Sequence, residues 1–305
     1  MSMVVIGTIF VDVKGFPADV YIPGGRNAGR IEEVHGGVSR NVAENIAKCG
    51  FNPTFLSLVD GSGAAKAVMS RLDKVGVDTK YIKTTSNGMG TWLAIFDHTG
   101  EVVASLSKRP DFMPLAEVIR QQGDEIFGGC DSILLEIDIE EAVVAETFKY
   151  ARKYNKKVYA LISNMTIALE RMEYIKECEC FVCNQQEAGI FFDANLESAE
   201  PTEMAAILSE KVKAAGMKSM IVTMADKGAA YADSKGNHGV CSAEKVNVVD
   251  TTGAGDAFFS GMAMGLTCGK TMAESCVIGT KIAAAVICTT ENTCPQFTKA
   301  ELGLE

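Results

Sequence analysis

Excess positive charge and long apolar runs are both missing from this sequence of 305 residues. It has 29 Lys and Arg against 39 Asp and Glu, a formal net charge of −10, so we expect no general affinity for nucleic acid or for an anionic membrane. The apolar stretch Cys276–Cys288 is interrupted by Lys281 and is too short to span a bilayer. Because no basic segment precedes the first apolar residues, Met3–Asp12 is predicted to be a buried strand rather than a signal peptide.

Histidine is scarce, and the three histidines are interpreted as loop residues. Cys178, Cys180 and Cys183 lie close together, but neither a second cysteine pair nor a nearby histidine completes a tetrahedral metal site. They are therefore expected to be buried thiols. The total of ten cysteines, without a secretory signal, indicates reduced thiols and a cytoplasmic location.

Hydrophobic residues make up 47% of the chain, enough for a sizeable core. From about residue 115 the pattern alternates regularly between helices and strands. Helices are predicted at 115–127, 140–154, 166–177 and 202–215, and strands at 131–136, 156–162, 180–183 and 218–223. This alternation predicts right-handed crossovers and a mostly parallel sheet with helices on both faces, with ligands beyond the carboxyl ends of its strands.

Two segments do not fit this alternation. Residues 13–35 are rich in Gly and Pro, and a structureless loop of that length would be unusual, so short strands are expected there. Residues 90–106 are predicted to form a β-hairpin with a turn at 97–100. We expect a core of 1–12, 36–84 and 110–305, and a small β-sheet lid of 13–35 and 85–109.

The segment Asp250–Asp256 combines acidic, hydroxyl and small residues between a strand end and a helical pattern. Gly253 and Gly255 allow a sharp turn, and the free N–H groups of the helix start attract an anion such as phosphate. A carboxylate inside an anion site, Asp256, is explained if it takes a proton from an attacking hydroxyl. The alternative from spacing alone is a capped helix with a tightly packed turn.

A second Gly-rich loop, His35–Asn41, also precedes a helix. Gly36 and Gly37 are consistent with either a tight turn or close approach to a polar substrate, for which Asn41 offers both a donor and an acceptor. Gly265–Thr271 has the appearance of a P-loop, but it has three residues between its glycines instead of four and follows a helix. It is interpreted as a turn between helices.

Together these loops resemble the ribokinase-like carbohydrate kinase family over nearly the whole chain. Asp250–Phe258 is similar to the family's C-terminal signature, and Gly36–Gly37 with Asn41 and Gly50 is similar to its N-terminal one. The resemblance implies a three-layer α/β/α fold with a small β-sheet lid that closes over the substrate. It also implies transfer of phosphate from ATP, with Mg²⁺, to a hydroxyl of a sugar or nucleoside.

The resemblance assigns roles to individual residues. Asp256 would be the general base, beside an anion hole formed by Gly253, Ala254 and Gly255. Substrate would be bound by Asp12, Gly36, Gly37, Arg40 and Asn41. The nucleotide and metal side would consist of Asn184, Glu187 (holding Mg²⁺ through water), Thr223 to Gly228, Thr252 and Asn292, the last near the adenine. Arg40 is equally consistent with contact to substrate and with neutralisation of local acids.

Several positions depart from the family pattern. Asp250 and Thr252 fit a monovalent-cation site, but Thr289–Thr293 differs from the usual partner loop, which leaves a K⁺ requirement open. Residues 60–65 rearrange a turn in which the family usually has two glycines, and Ala225 replaces a glycine of the nucleotide loop.

The first Gly-rich loop, with Asn27-x-Gly29-Arg30 before it, is most similar to the pseudouridine kinase branch, which phosphorylates a ribose 5′-hydroxyl. In that interpretation Asn27 of the lid pairs with a uracil-like edge. Ribokinase or fructokinase activity is the main alternative, and a non-catalytic ligand-binding relative is a third. A dinucleotide-dependent oxidoreductase is not expected, because no Gly-x-Gly-x-x-Gly follows the first strand. Trp92, Ile95 and Phe96 are expected to be exposed on the lid, which predicts a homodimer through it.

Overall fold

The computed structural model describes residues 1–305. Its strands are β1 Met3–Ile6, β2 Phe10–Pro17, β3 Gly29–Gly36, β4 Thr54–Val59, β5 Ile82–Thr84, β6 Gly90–Phe96, β7 Val102–Lys108, β8 Ser132–Glu136, β9 Lys157–Leu161, β10 Cys180–Asn184, β11 Ser219–Thr223, β12 Ala229–Asp233 and β13 His238–Cys241. Its α-helices are α1 Val38–Lys48, α2 Gly63–Val75, α3 Met113–Gly128, α4 Glu141–Lys153, α5 Met165–Ala168, α6 Met172–Glu177, α7 Gln185–Phe192, α8 Pro201–Ala215, α9 Ala254–Thr267 and α10 Met272–Ile287.

Nine strands form the large sheet, in the order β13-β12-β11-β10-β9-β8-β1-β4-β5. The strands from β11 to β5 run parallel, and β12 and β13 are antiparallel at one edge. The strand order reverses between β1 and β8, so a crevice is expected at the carboxyl ends of these two strands.

Two cores lie on opposite faces of the large sheet. In β1, Val4 and Ile6 belong to a cluster of 44 buried residues, whereas Met3 and Val5 belong to a second cluster of 39. The first cluster includes α3, α4 and α8, and the second includes α1, α9 and α10. Because alternate residues of a strand point to opposite faces, helices on both sides bury the strand completely. The predicted three-layer α/β/α architecture is confirmed.

The other four strands form a smaller sheet in the order β3-β2-β6-β7, which we call the lid sheet. Residues 3–12, predicted as one strand, are divided between the two sheets. A Cβ at Gly7 would overlap Ser39 Oγ and the Glu136 carboxyl, so glycine is needed where the chain leaves the large sheet. The segment 13–35 does form strands, and the predicted hairpin is formed by β6 and β7.

Two helical regions differ from the sequence expectation. The predicted helix at 166–177 is divided into α5, a 3-10 turn at Leu169–Arg171, and α6. No Gly or Pro marks this break, so periodicity could not indicate it. Helix α7 was missed because Asn184 and Glu187 were interpreted only as ligands, although Asn-x-x-Glu is also the pattern of a capping box.

Two further sequence expectations, the turn between two helices and the buried thiols, agree with the structure. The P-loop-like segment Gly265–Thr271 is the turn between α9 and α10. All ten cysteines are free thiols, and Cys178, Cys180 and Cys183 are buried. No group of three or more His, Cys, Asp or Glu residues has a metal-binding arrangement. None of the helices combines the length and the apolar character needed to cross a membrane.

Candidate active site

The stretch interpreted as the reaction centre forms the start of α9. Gly253 is the N-cap residue, with a left-handed φ of 82°, and a Cβ there would overlap the Asn292 carbonyl. Glycine satisfies both the turn and this close contact. The backbone amides of Gly255 and Asp256 donate to no backbone carbonyl, whereas the amide of Ala254 is used locally. The helix start therefore presents two free N–H donors, an arrangement that binds anions.

Asp256 lies on the first turn of α9, beside α1. Its Oδ2 accepts a hydrogen bond from Asn41 Nδ2 at 2.6 Å, which brings the two Gly-rich motifs together. Burial raises the pKa of the Asp256 carboxyl to about 7, against the opposing effects of the Asn41 hydrogen bond and the Arg40 charge. A carboxylate with this pKa is suited to remove a proton near neutral pH. Asn41 Oδ1 is buried without a hydrogen-bond partner and is left as an acceptor.

Asp12 on β2 faces the end of β3. A Cβ at Gly36 would lie 2.7 Å from both carboxylate oxygens of Asp12, so glycine permits this approach. Gly37, the N-cap of α1, has a φ of 98°, and a Cβ there would lie 2.6 Å from the Thr8 carbonyl oxygen. Burial raises the pKa of Asp12. This close-fitting corner places acceptor oxygens where sugar hydroxyls can donate.

Arg40, predicted to be among the substrate-binding residues, lies behind the backbone of this corner. Its side chain is fully buried, and its guanidinium donates to Glu44 Oε2 at 2.9 Å, to the Gly36 carbonyl at 3.2 Å and to the His35 carbonyl. These contacts favour the second interpretation of Arg40, neutralisation of a local acid. Its role toward the site is to hold the backbone of the Gly36–Gly37 loop.

Asn184 and Glu187 lie at the carboxyl end of β10. Their reciprocal hydrogen bonds, both 2.8 Å, form the capping box of α7. Asn184 is paired in register with Thr223 of β11. These two residues, both expected on the nucleotide side, are therefore neighbours at the carboxyl ends of adjacent strands. Burial raises the pKa of Glu187. The capping box uses one carboxylate oxygen of Glu187, and the other is available to a water of a hydrated Mg²⁺.

The remaining nucleotide-side residues are not all oriented as expected. Gly228, with φ 94°, closes a turn by accepting from the Met224 amide at 2.7 Å. The Asp250 carboxylate accepts from the Thr252 amide at 2.8 Å. Asn292, expected near the adenine, is buried, and its Nδ2 donates to the His35 carbonyl at 2.7 Å. Its amide therefore connects the loop after α10 to the first Gly-rich motif.

Two carboxylates that the sequence analysis did not select lie at the end of β8. Glu136 is buried and accepts from the Thr8 amide at 2.8 Å and from Ser39 Oγ at 2.9 Å, and burial raises its pKa to about 7. Asp138 is also buried and accepts from Ser163. The available signal was their position at the carboxyl end of β8, where Glu136 is the last strand residue and Asp138 follows two residues later, next to the reversal of strand order.

Comparisons with known proteins agree with this geometry. A family model described as pfkB family carbohydrate kinase matches residues 1–297. The guanosine-inosine kinase of Exiguobacterium acetylicum is 32% identical over 293 residues, 95% of this chain and 96% of that protein. The pseudouridine kinase of Escherichia coli (strain K12) is 25% identical over 275 residues, 90% of this chain and 86% of that protein.

Solved structures show the same fold. The structure of Arabidopsis thaliana ribokinase complexed with ribose and ATP has a TM-score of 0.85 at 20% identity, covering 99% of this chain and 97% of that one. Ribokinase from Thermotoga maritima has a TM-score of 0.77 at 22% identity, covering 99% and 98%. With the family model matching nearly the whole length, the chain belongs to the pfkB family and is a carbohydrate or nucleoside kinase.

Proposed function

We propose that this protein transfers the terminal phosphoryl group of ATP to the 5′-hydroxyl of a ribonucleoside, with Asp256 as general base. The observation that carries the proposal is the hydrogen bond of 2.6 Å between Asp256 and Asn41, next to the free amides that begin α9. It places a proton acceptor, a substrate-orienting amide and an anion site at one point. Phosphoryl transfer needs little more from the protein than this positioning and charge stabilisation.

Each group has a defined part in the step. The Asp256 carboxylate takes the proton of the hydroxyl as the oxygen attacks the phosphorus, and the amides at the start of α9 stabilise the charge on the transferring group. Asp12, Gly37 and Asn41 orient the sugar. Mg²⁺, when bound with ATP, would neutralise phosphate charge, and Glu187 would hold it through water. Asp250 and Thr252 are the residues that would take a monovalent cation such as K⁺.

The lid sheet is proposed to close over the sugar and exclude water, which protects ATP from hydrolysis. We retain the division into a core of 1–12, 36–84 and 110–305 and a lid of 13–35 and 85–109, except that Phe10–Asp12 and Gly36 move to the lid because they belong to β2 and β3. Asp12 supports this role, because it lies on the lid strand β2 and contacts the end of β3 beside α1.

Two nucleoside classes have support. The relative at 32% identity acts on guanosine and inosine, and the N-terminal motif resembles that of pseudouridine kinase. We place the 6-oxopurine nucleosides first, because that similarity is higher and spans more of both chains.

The test is a panel of guanosine, inosine, adenosine, pseudouridine, uridine, ribose and fructose, each with ATP and Mg²⁺, with ADP release measured. We expect nucleosides to be phosphorylated with higher kcat/KM than either free sugar. A clear preference for fructose or ribose would replace this proposal with a sugar kinase.

The pKa of Asp256 predicts a pH dependence. Below pH 7 the carboxyl is increasingly protonated and cannot accept the substrate proton, so kcat/KM should fall by about tenfold per pH unit. Steady-state rates between pH 5.5 and 9, over roughly the interval that spans this pKa, would measure it. A rate that is independent of pH on the acid side would show that Asp256 is not the group that must be deprotonated.

The raised pKa of Asp256 also makes the free energy of unfolding depend on pH. Because the pKa of Asp256 in the folded state is raised above its ordinary value of 3.8, its contribution to the free energy of unfolding is fully present at acid pH. That contribution is lost as the pH rises through about 7. Replacing Asp256 by Asn should therefore stabilise the fold relative to wild type at pH 8 more than at pH 4. Urea denaturation of both proteins at the two pH values gives a measurement that is independent of activity.

A homodimer through the lid sheet is also proposed, with a corrected contact face. Trp92, Ile95 and Phe96 are partly buried, and the more exposed apolar residues are Ile31, Leu93 and Leu106, the last two directly paired across β6 and β7. Covering this face would remove apolar surface from water. Sedimentation equilibrium at micromolar concentration should give a dimer, and Leu106→Lys should shift it toward monomer; a monomeric wild type would refute the contact.

A further inference from the structure

A cleft of about 250 Å³ opens at the carboxyl ends of β1 and β8, where the strand order reverses. Its apolar walls are Phe10, Phe112, Ile139 and Ile167. The polar groups that line it include Arg109, Asp138, Ser163 and Arg171. Apolar walls with a few converging polar groups are the usual composition of a small-molecule site.

The cleft adjoins the corner proposed for the sugar. Its rim includes Thr8 and Phe10, and the backbone of both lies against Gly37, the N-cap of α1. On the other side of Gly37, one turn along α1, Asn41 contacts Asp256. A ribose that presents its 5′-hydroxyl to Asp256 and lies along Gly37 therefore has its opposite end, which carries the base, at the mouth of the cleft.

Arg171 is an unsatisfied donor in this cleft. Its side chain is 10% exposed, and its Nε is buried without a hydrogen-bond partner. Its nearest carboxylates, Glu141 and Glu170, lie 3.7 and 3.6 Å from Nη1, beyond hydrogen-bonding distance, and both are exposed. A buried N–H donor without an acceptor is costly, so the acceptor for Nε is expected to come from a ligand. The 3-10 turn between α5 and α6 ends at this residue.

The Asp138 carboxylate, another polar group of the cleft, is held in place by hydrogen bonds. Asp138 accepts from the Ser163 amide at 2.9 Å and from Ser163 Oγ at 2.7 Å, while Arg109 Nη2 lies 3.4 Å from its Oδ2. This hydrogen bond to Arg109 is long, and the Arg109 side chain is 43% exposed, so most of its donors are unused. The cleft thus presents two guanidinium groups, the restrained carboxylate of Asp138 and the carboxylate of Glu140.

We propose that this cleft is the base subsite and that Arg171 selects a 6-oxopurine ring. The inference rests on the proposed nucleoside kinase function and adds the recognition of the base. A 6-oxopurine offers O6 and N7 as adjacent acceptors, the pair that a guanidinium contacts with two hydrogen bonds. Adenine shares the N7 acceptor but has an amino donor at position 6, which would face one donor of Arg171 and leave that donor unpaired.

The subsite replaces the lid contact predicted from the sequence. Asn27 does not face a base, because its Oδ1 accepts from the Ile22 amide at 2.8 Å and its Nδ2 donates to the Ile22 and Gly25 carbonyls. These bonds close a turn at the tip between β2 and β3. Asn27 therefore has no free hydrogen-bonding edge for a uracil ring.

The experiment compares wild type with Arg171→Met, which keeps an apolar side chain of similar length. The control is Arg152→Met, which removes an exposed arginine paired with Glu177 on the outer surface. Inosine, guanosine and adenosine are tested in steady-state assays, and their binding, with that of ATP, is measured by calorimetry. Wild type should prefer inosine to adenosine, and Arg171→Met should lose roughly 10- to 100-fold in kcat/KM for inosine and guanosine, mainly through KM.

The other measurements separate recognition from folding. Adenosine kinetics and ATP affinity should change less than twofold, roughly the scale of assay variation, so that base selectivity collapses. The inference is overturned if Arg171→Met behaves like Arg152→Met, or if inosine, adenosine and ATP are all weakened equally. If wild type phosphorylates no nucleoside, the proposed function fails instead; calorimetric binding of inosine that depends on Arg171 would still support the subsite, and no binding would refute it.

Discussion

Asp256→Asn is expected to lower kcat by roughly 10²- to 10⁴-fold, the usual contribution of a general base. The amide retains the size of the carboxylate and still accepts the hydrogen bond from Asn41, but it cannot take the proton of the attacking hydroxyl. ATP affinity should be nearly unchanged, because the amides that begin α9 remain. ADP release gives the rates, and calorimetry gives the affinity.

Asp124→Asn is the matched control for this substitution. Asp124 is a surface carboxylate that accepts from Lys153 and Tyr154, so the same chemical change there should leave kcat near wild type. The residual activity of Asp256→Asn should also lose the acid-side dependence centred near pH 7. Near-wild-type turnover by Asp256→Asn would remove this residue from the proton-transfer step.

Glu44→Gln is expected to lower the free energy of unfolding by about 3–5 kcal/mol, the usual effect of removing one partner from a buried ionic group. Glu44 on α1 is fully buried and contacts Arg40 at 2.9 Å, Lys48 at 2.9 Å and Arg71 at 2.8 Å. Without its charge, the Arg40 guanidinium is left buried with no compensating carboxylate. Urea denaturation at pH 7, roughly the pH at which most carboxylates are ionised, would measure the change.

The control is Glu291→Gln, because Glu291 pairs with the same Arg71 at 2.8 Å but is 59% exposed. Its removal should cost less than about 1 kcal/mol. Although burial opposes its ionisation, the hydrogen bond from Arg71 and the charges of Arg40 and Lys48 lower the pKa of Glu44 to about 2. The stabilisation that ionised Glu44 gives to the fold is present above pH 4.5 and is lost as the pH falls through about 2. The difference in free energy of unfolding between wild type and Glu44→Gln should therefore narrow in acid. Equal effects of the two substitutions would contradict a buried-charge mechanism.

The charged cluster around Glu44, formed with Arg40, Lys48 and Arg71, also positions part of the candidate active site. Glu44 also accepts from Thr293 Oγ1 at 2.9 Å, and Asn292 beside it donates to the His35 carbonyl. The same helix, α1, carries Asn41, so the buried charges hold α1 against the loop whose Asn292 carbonyl lies beside Gly253. Sequence alone left two interpretations of Arg40, contact with substrate and neutralisation of local acids, and its contact with Glu44 favours the second.

Much of the fold follows from local patterns in the sequence. The alternation of buried strands and amphipathic helices after residue 115 favours a parallel sheet covered on both faces, and it was predicted apart from the division between α5 and α6 and the missed α7. Gly253 and Gly37 were recognisable because only glycine adopts their left-handed conformations without strain. The proposal that Asp256 accepts a proton likewise came from the sequence, in which a carboxylate lies in an anion-binding turn.

Tertiary structure decided which polar groups face each other. The pairing of Asp256 with Asn41 joins residues 215 positions apart, and the inward turn of Arg40 depends on Glu44 being buried behind it. Arg171 was invisible in the sequence, since it lies in a segment with ordinary helical periodicity. Its importance depends on its missing hydrogen-bond partners, and a partner can be counted as missing only when every neighbour in space is known. The sequence by itself determined the fold and the kinase family, whereas only the arrangement of side chains in space decided which buried donors lack partners, the observation behind the proposed base subsite.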